Sequence, residues 1–373
     1  MKFIVSSSAL YGRLSAASKV LVAKNSMPIL DCFLFNVRDG QITITASDGD
    51  KYFVTTLPLI EHDGNDMFCI PAKTIMDSMK EIAEQPLALE YNEQTHEVKG
   101  RHQTGVFSVM AQSADPFPLQ QDINEGANEL TLPAEILLNG INRCLFATAN
   151  DEIRQVMTGV FVDVKYDSVT FAGTDGRKLV RNINRMVQPG QEASFILPKK
   201  VASILKTVAG KDADITIHFD TEKALIQSGD FELYFRLVEG RFPNYNAVIP
   251  TNNPFQATVD RLSVISALKR IGIFCNQSSG LMKVHLENNL MKLTGQDNDY
   301  ATSAEENLMC EYQNTPISIG FSCQFMLEIA NILEGEALTL SLADPSRPGI
   351  VEPADQNPND EVLMLLMPMM LNE

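Results

Sequence analysis

Along the chain, apolar residues switch between two spacings, and the switches recur. Leu10, Leu14, Ala17 and Leu21 fall at i, i+4, i+7 and i+11, one stripe of a helix. Strand-like alternation follows over 32–37 and 41–46, broken by Arg38-Asp39-Gly40, a hairpin turn signal. A second helical stripe, Ile75, Met76, Met79 and Ile82, leads into strands at 87–91 and 106–110. The same order, helix, strands, helix, strands, then repeats twice. Helices are predicted at 134–148 and 199–208, then at 262–274 and 324–333. Strands are predicted at 160–164, 168–172, 214–219, 224–228 and 231–238, then at 283–287, 290–295, 337–342 and 362–367.

Short motifs keep the same period. Phe68-Cys69-Ile70-Pro71-Ala72-Lys73 returns as Phe195-Ile196-Leu197-Pro198-Lys199-Lys200, and more faintly as Ile319 to Gln324. Ser47-Asp48-Gly49, Thr174-Asp175-Gly176 and Gln296-Asp297-Asn298 each close a strand, their Asp residues 127 and 122 residues apart. Phe117-Pro118 and Phe242-Pro243 are 125 apart. A period of this length is domain-sized, well beyond that of solenoid repeats. The chain therefore reads as a triplicated α+β domain. Polar or Pro-rich connectors at 120–128 and 250–254 give domains of 1–122, 129–249 and 250–373.

Net charge is −17, which on its face argues against a nucleic-acid partner. Its distribution changes that. Six helical windows, taken generously as 7–24, 72–84, 134–154, 199–211, 260–274 and 323–334, hold 14 of the 30 basic but only 9 of the 47 acidic residues. Lys and Arg are good helix formers on any solvated face. Together with the repeat, the split favours mildly basic helices facing a common centre and acidic strands facing outward. Such a body would admit duplex DNA only at its centre.

Chemistry for catalysis is missing from the pattern. Asp48, Asp175 and Asp297 recur at equivalent positions and read as turns. The acidic pair Asp151-Glu152 stands alone, and His62, His96, His102, His218 and His285 have no visible nucleophile partner. No phosphate-cradling glycine loop and no metal-ligand spacing occurs, so catalytic residues, metal and cofactor are all read as none. Six scattered cysteines (32, 69, 144, 275, 310, 323) read as buried thiols of a reducing cytoplasm. No apolar run reaches membrane-span length, and Met1-Lys2-Phe3 enters strand-like sequence directly, without a signal peptide.

At Met1-Lys2-Phe3, Met27-Pro28-Ile29-Leu30, Thr174-Asp175-Gly176-Arg177, the run Val238 to Tyr245, and Met367-Pro368-Met369, the chain resembles the bacterial DNA sliding clamps, the beta subunits of DNA polymerase III. The resemblance implies three clamp domains, two subunits closed head to tail into a six-domain ring, helices lining the hole and sheets forming the rim. It implies a cytoplasmic processivity factor without catalysis of its own. Its partners would be duplex DNA without sequence preference, the replicative polymerase, an ATP-driven loader, and other polymerases and repair proteins carrying short linear motifs. A triplicated protein-binding scaffold that does not encircle DNA is the alternative.

Carried over residue by residue, the resemblance implies a peptide pocket of Met157, Thr174, Gly176, Arg177, Lys178, Leu179, Pro243, Val248, Ser322, Phe325, Ser346, Leu366, Met367, Pro368, Met369 and Met370. Apolar grooves suit linear motifs, and Met side chains adapt to several partners. Taken alone, the run 364–371 would read as a buried last strand. The chain departs from the family at Met370, where Arg is usual, at Ser346, where an aliphatic residue is common, and in continuing past Leu371 with Asn372-Glu373. DNA contacts are implied at Lys24, Lys73, Arg154, Gln155, Lys199 and Lys200, with Lys replacing Arg at 24 and 73. Subunit contacts are implied between Phe107 and Val109 of one chain and Ile273 and Phe274 of the other.

Overall fold

The computed structural model describes residues 1–371 except Ser26, Gln121, Glu125, Asp151 and Glu152. The acidic pair Asp151-Glu152 and the extension Asn372-Glu373 therefore lie outside the described residues. Six α-helices occur among these residues: α1 Ser7–Ala17, α2 Ala72–Lys80, α3 Ala134–Cys144, α4 Lys199–Val208, α5 Arg261–Ile271 and α6 Cys323–Ile332. They are the six the spacing predicts, with tighter ends. Leu21 lies beyond α1, whose end is marked by the Ser18 hydroxyl donating to the Ser15 carbonyl at 2.8 Å. After Cys144 the chain tightens into a 3-10 turn, Leu145–Ala147. Trimming the windows removes six acidic and four basic residues, so the helices proper carry 10 Lys/Arg against 3 Asp/Glu.

Helix starts are set by local polar chemistry. Ser6 caps α1 by accepting from the Ala9 N–H at 3.2 Å, and the Glu84 carboxylate accepts from the Ser8 N–H at 2.9 Å and from the Ser6 hydroxyl. Those bonds, Ser8's first, hold the Glu84 carboxyl below its ordinary range. Asp260 and Ser322 cap α5 and α6 in the same way, accepting from Ser263 N–H at 2.8 Å and Phe325 N–H at 3.4 Å. The apolar stripes then fill the core: Leu10, Leu14 and Ala17 of α1, Ile75 and Met79 of α2, Ile329 and Ala330 of α6.

All strand pairs are antiparallel, and the repeats fuse edge to edge. In a nine-stranded sheet, Tyr52–Pro58 of the first repeat pairs with Phe231–Arg236 of the second, Tyr52 opposite Tyr234. In a twelve-stranded sheet, Lys178–Asn184 of the second pairs with Asp360–Leu366 of the third, Leu179 opposite Leu365. Edge pairing of this kind removes exposed backbone donors and acceptors from each repeat. It also explains why the compact units cut across the sequence repeat. One unit is Met1–Ala134 with Ser203–Leu237, the other Glu135–Ala202 with Val238–Glu373. A separate five-stranded sheet in the first unit ends on the strand Gly105–Met110.

The hairpin at Arg38-Asp39-Gly40 forms as its sequence predicts, with Asp39 and Gly40 both at positive φ (52° and 78°). Strands 52–58, 178–184, 302–311 and 349–353 carry too little alternation to be read in advance. All six cysteines are buried free thiols.

Candidate functional site

The sixteen residues singled out for a peptide pocket all lie in the second compact unit, but only Ser346, Met367, Pro368, Met369 and Met370 line one groove; Thr174, Lys178, Leu179 and Leu366 lie on the buried strand pair Lys178–Asn184 and Asp360–Leu366 or on the turn that enters it. Thr174-Asp175-Gly176 makes a tight turn into the first of these strands. Thr174 Oγ1 accepts from the Gly176 N–H at 3.1 Å, and Asp175 Oδ1 accepts from the N–H groups of Arg177 (2.8 Å) and Lys178 (3.0 Å). Gly176 sits at φ +84°, a conformation other residues rarely adopt.

From Leu366 the chain leaves its strand and runs across the turn. Met367 N–H donates to the Arg177 carbonyl at 2.9 Å, and Met369 N–H to the Gly320 carbonyl at 2.8 Å. This tail walls a groove of about 1200 Å³ lined by Ser346, Met367, Pro368, Met369, Met370 and Leu371. Opposite the tail are Leu281, Lys283, Thr294, Gln296, Asn298 and Ser318. These were not foreseen: Lys283 and Thr294 fall in strands predicted at 283–287 and 290–295, while Leu281 and Gln296 lie just beyond those bounds, in the longer strands Leu281–Glu287 and Leu290–Asp297.

Thr174, Leu179 and Leu366 are buried. Leu179 packs in a core cluster with Phe242, Tyr245, Ile350 and Leu365. Pro243 is half-buried and Val248 exposed on the short 3-10 turn Tyr245–Val248, and Met157 is half-buried on another, Gln155–Met157. Ser322 caps α6.

Lys178 differs from its expected place at the groove surface. Its side chain is buried, 6 % exposed, with the ammonium 4.0 Å from the Phe325 ring centroid, 5.1 Å from that of Phe146 and 3.0 Å from a Glu328 carboxylate oxygen. It ties α6 to the turn, holding Phe325 in position. The physical reason is local: a lysine stem is apolar enough to bury when two rings and a carboxylate receive its charge.

The basic candidates lie on or beside helices. Lys73 is exposed on α2, Lys199 and Lys200 open α4, and Lys24 is exposed beyond the end of α1. Lys199 donates to Asn150 Oδ1 at 2.6 Å, and burial followed by the nearby Lys178 charge lowers its pKa. Arg154 is exposed, as is Gln155, but its guanidinium donates to the Asp175 carbonyl at 2.5 Å. The structure thus brings Arg154, read for DNA, onto the turn read for peptide.

On the strand Gly105–Met110, Val109 is buried in its own sheet, 6 % exposed, so its side chain is not available to a partner. The exposed apolar residues there are Val106 (60 %) and Met110 (61 %), a consequence of the strand's register on Glu97–His102. Phe107 lies half-buried across Gly100, while Ile273 is 77 % exposed and Phe274 half-buried after α5.

Sequence profiles of three domains of the DNA polymerase III beta subunit match in order: the N-terminal domain over residues 1–121, the central domain over 131–244 and the C-terminal domain over 246–370. The chain belongs to the DNA polymerase III beta subunit family. The beta sliding clamps of Chlamydia muridarum and Synechococcus elongatus are similar to it at 25 % identity over 376 residues and 27 % over 382, each chain covered in full. A DNA polymerase sliding clamp structure from Pseudomonas aeruginosa shares the fold at a TM-score of 0.93 and 22 % identity. The beta subunit from Thermotoga maritima does so at 0.91 and 25 %, again with full coverage of both chains. The fold is thus the three clamp domains that the repeat predicts, and the role is that of a non-catalytic processivity factor of the polymerase. Among the described residues of this clamp subunit, no helix is long and apolar enough to cross a membrane.

Proposed function

We propose that two copies of this chain close head to tail into a six-domain ring, which encircles duplex DNA and tethers the replicative polymerase to it. The observation that carries this reading is a pair of unpaired sheet edges, one in each compact unit. Gly105–Met110 ends its five-stranded sheet. Thr302–Glu311 pairs with Phe255–Asp260 only through Glu311 and Cys310, so among the described residues 302–309 have a strand neighbour on one side alone. Edges that differ from each other and lie on one chain support a heterologous contact, which makes a ring when its rotation closes. Val106, Phe107 and Met110 would meet Ile273 and Phe274 across that joint. Val109 would support it from within its own sheet.

The joint would carry little charge of its own. Gly105–Met110 has no ionisable side chain, Glu305 is paired with Lys292 at 2.7 Å, and Glu306 receives two bonds from Arg270 at 2.6 and 2.8 Å. The excess of base over acid in the helices supports a DNA-facing helical surface, with Lys24, Lys73, Arg154, Gln155, Lys199 and Lys200 meeting phosphates and reading no bases. The domains are assigned as 1–122, 129–249 and 250–373. Polymerase, loader and repair proteins would dock by linear motifs in the groove walled by residues 367–371. The groove is lined by Met367, Met369 and Met370, side chains that repack around different partners. The compartment is the cytoplasm, in keeping with six free thiols.

Particle images of the purified protein test this reading, with a six-lobed ring expected. Val106→Glu combined with Met110→Glu should yield single crescents, seen as halved mass in sedimentation. A native chain that sediments as a monomer would overturn the proposal.

A further inference from the structure

The Asp-Gly turn and strand pairing that hold the expected pocket residues Thr174, Gly176 and Leu179 occur a second time, in the first compact unit. Ser47 Oγ accepts from the Gly49 N–H at 2.9 Å, as Thr174 does from Gly176, and Asp48 Oδ1 accepts from the Lys51 N–H at 2.9 Å, as Asp175 does from Lys178. Gly49 and Gly176 share positive φ, 97° and 84°. Each turn feeds a strand that pairs with the last strand of the next repeat, and the registers put Tyr234 where Leu365 stands and Arg236 where Met367 stands. In each repeat a buried Phe, 117 or 242, precedes a Pro, and five residues beyond that Pro come Ile123 and Val248. Cys69 and Ile196 hold matching core positions below.

This second junction encloses a cleft of about 240 Å³. Tyr52, Pro118, Leu119 and Ile123 give it apolar walls, and the described lining also includes Lys223, Arg236 and the acidic Asp50. Leu119 is strongly exposed there, so its side chain is open to a ligand in the cleft. At the position equivalent to Met367 of the C-terminal tail stands Arg236. A guanidinium offers a planar fork that matches a carboxylate, and Arg236 is an exposed one at the mouth of the cleft.

We propose that this cleft is a second docking site for short peptides, taking one that presents a single apolar side chain beside a carboxylate. The volume suits one such side chain, and the cations select the acid. The inference rests on the reading of the C-terminal groove only for the class of ligand; the cleft and its charge stand independently. Two motif sites of different preference on one subunit would let two partners ride the same clamp without competing.

Photo-crosslinking on the full-length protein tests it. The probe is a capped tetrapeptide, Asp-Leu-Phe-Glu, with a diazirine on the Leu side chain, compared with the same peptide carrying Lys at both ends. Adducts on segments 118–123 and 234–236 are expected with the acidic probe, weaker by about tenfold with the basic one and in Arg236→Glu. Leu119→Glu, at an exposed position that folding does not need, should abolish them as well. Absence of adducts there, or adducts that persist undiminished in both variants, overturns the proposal. Deleting residues 367–373 should leave these adducts in place. Labelling that fails only at the C-terminal groove would count against that groove's assignment and not against the cleft.

Discussion

Gly320→Ala addresses the tail that walls the C-terminal groove. A Cβ at this position would lie 2.5 Å from the Met369 carbonyl oxygen, 2.9 Å from Leu281 Cδ1 and 3.0 Å from Leu371 Cδ2. The two leucine contacts end on side-chain methyls that can turn aside. The carbonyl is backbone, so relief requires residues 367–371 to move together, breaking the 2.8 Å bond from Met369 N–H to the Gly320 carbonyl. An overpacked contact costs about 1–3 kcal/mol and a lost hydrogen bond about 1 kcal/mol, so the docked tail is disfavoured by about 2–4 kcal/mol. Peptide affinity falls with the docked fraction, by about 30-fold or more once that cost exceeds the tail's own docking energy. Because Met367 and Met370 are exposed, little core is lost and the unfolding midpoint should move by less than about 2 °C. Fluorescence anisotropy with a labelled peptide carrying Leu and Phe anchors, beside a thermal melt, reads both. Affinity within about twofold of the parent, with the melt unchanged, would refute the tail's role as a wall.

Two further outcomes follow from buried charge in the second unit. Lys178→Ala, which strips Glu328 of its cation and Phe325 of its cover, should destabilise by about 3 kcal/mol. Lys178→Met, keeping the volume, should stay within about 1 kcal/mol of the parent by chemical unfolding, and equal losses in the two variants would contradict this account. Burial works against ionisation of Asp360, but hydrogen bonds from Asn182 and Arg143, with the Arg143 charge, leave its pKa lowered. A depressed folded pKa gives stability that is complete above the unfolded value near 4 and is lost as pH falls through the folded value. The deficit of Asp360→Asn at neutral pH, roughly 1–3 kcal/mol, should therefore shrink below about pH 4. A deficit independent of pH would assign the loss to shape and not to charge.

The parts of the fold legible in the sequence are those set locally. Helices with a clear stripe, the Asp39-Gly40 hairpin and the Asp-Gly turns depend on residues within a few positions of one another. Lys178–Asn184 escaped because it reads as polar, its half-buried Arg181 and buried Asn182, on opposite faces, being satisfied by Glu361 and Asp360 from about 180 residues away. Thr302–Glu311, with few apolar residues, owes its strand form to an eight-residue ladder with Leu290–Asp297. The edge-to-edge fusion of repeats is equally non-local, so duplicated motifs could announce three domains but not the two compact units across them.

The candidate site divides along the same line. Met367 to Met370 announced themselves by composition and resemblance, and they do line a groove. The far wall, Leu281 to Asn298, carried only the ordinary alternation of a half-exposed sheet. Lys178 and Val109 went to places that their residue type alone does not disclose, one beneath two aromatic rings and one into its own sheet.

The claim on which the account turns is that the ring holds DNA by topology. Loaded by an ATP-driven clamp loader onto a nicked circular duplex, the protein should co-elute with the DNA through a sizing column at a salt concentration that abolishes ordinary phosphate contacts. Cutting the circle once with a restriction enzyme should release it. Protein that remains bound to the linear DNA, or that never survives the salt on the circle, would contradict encirclement.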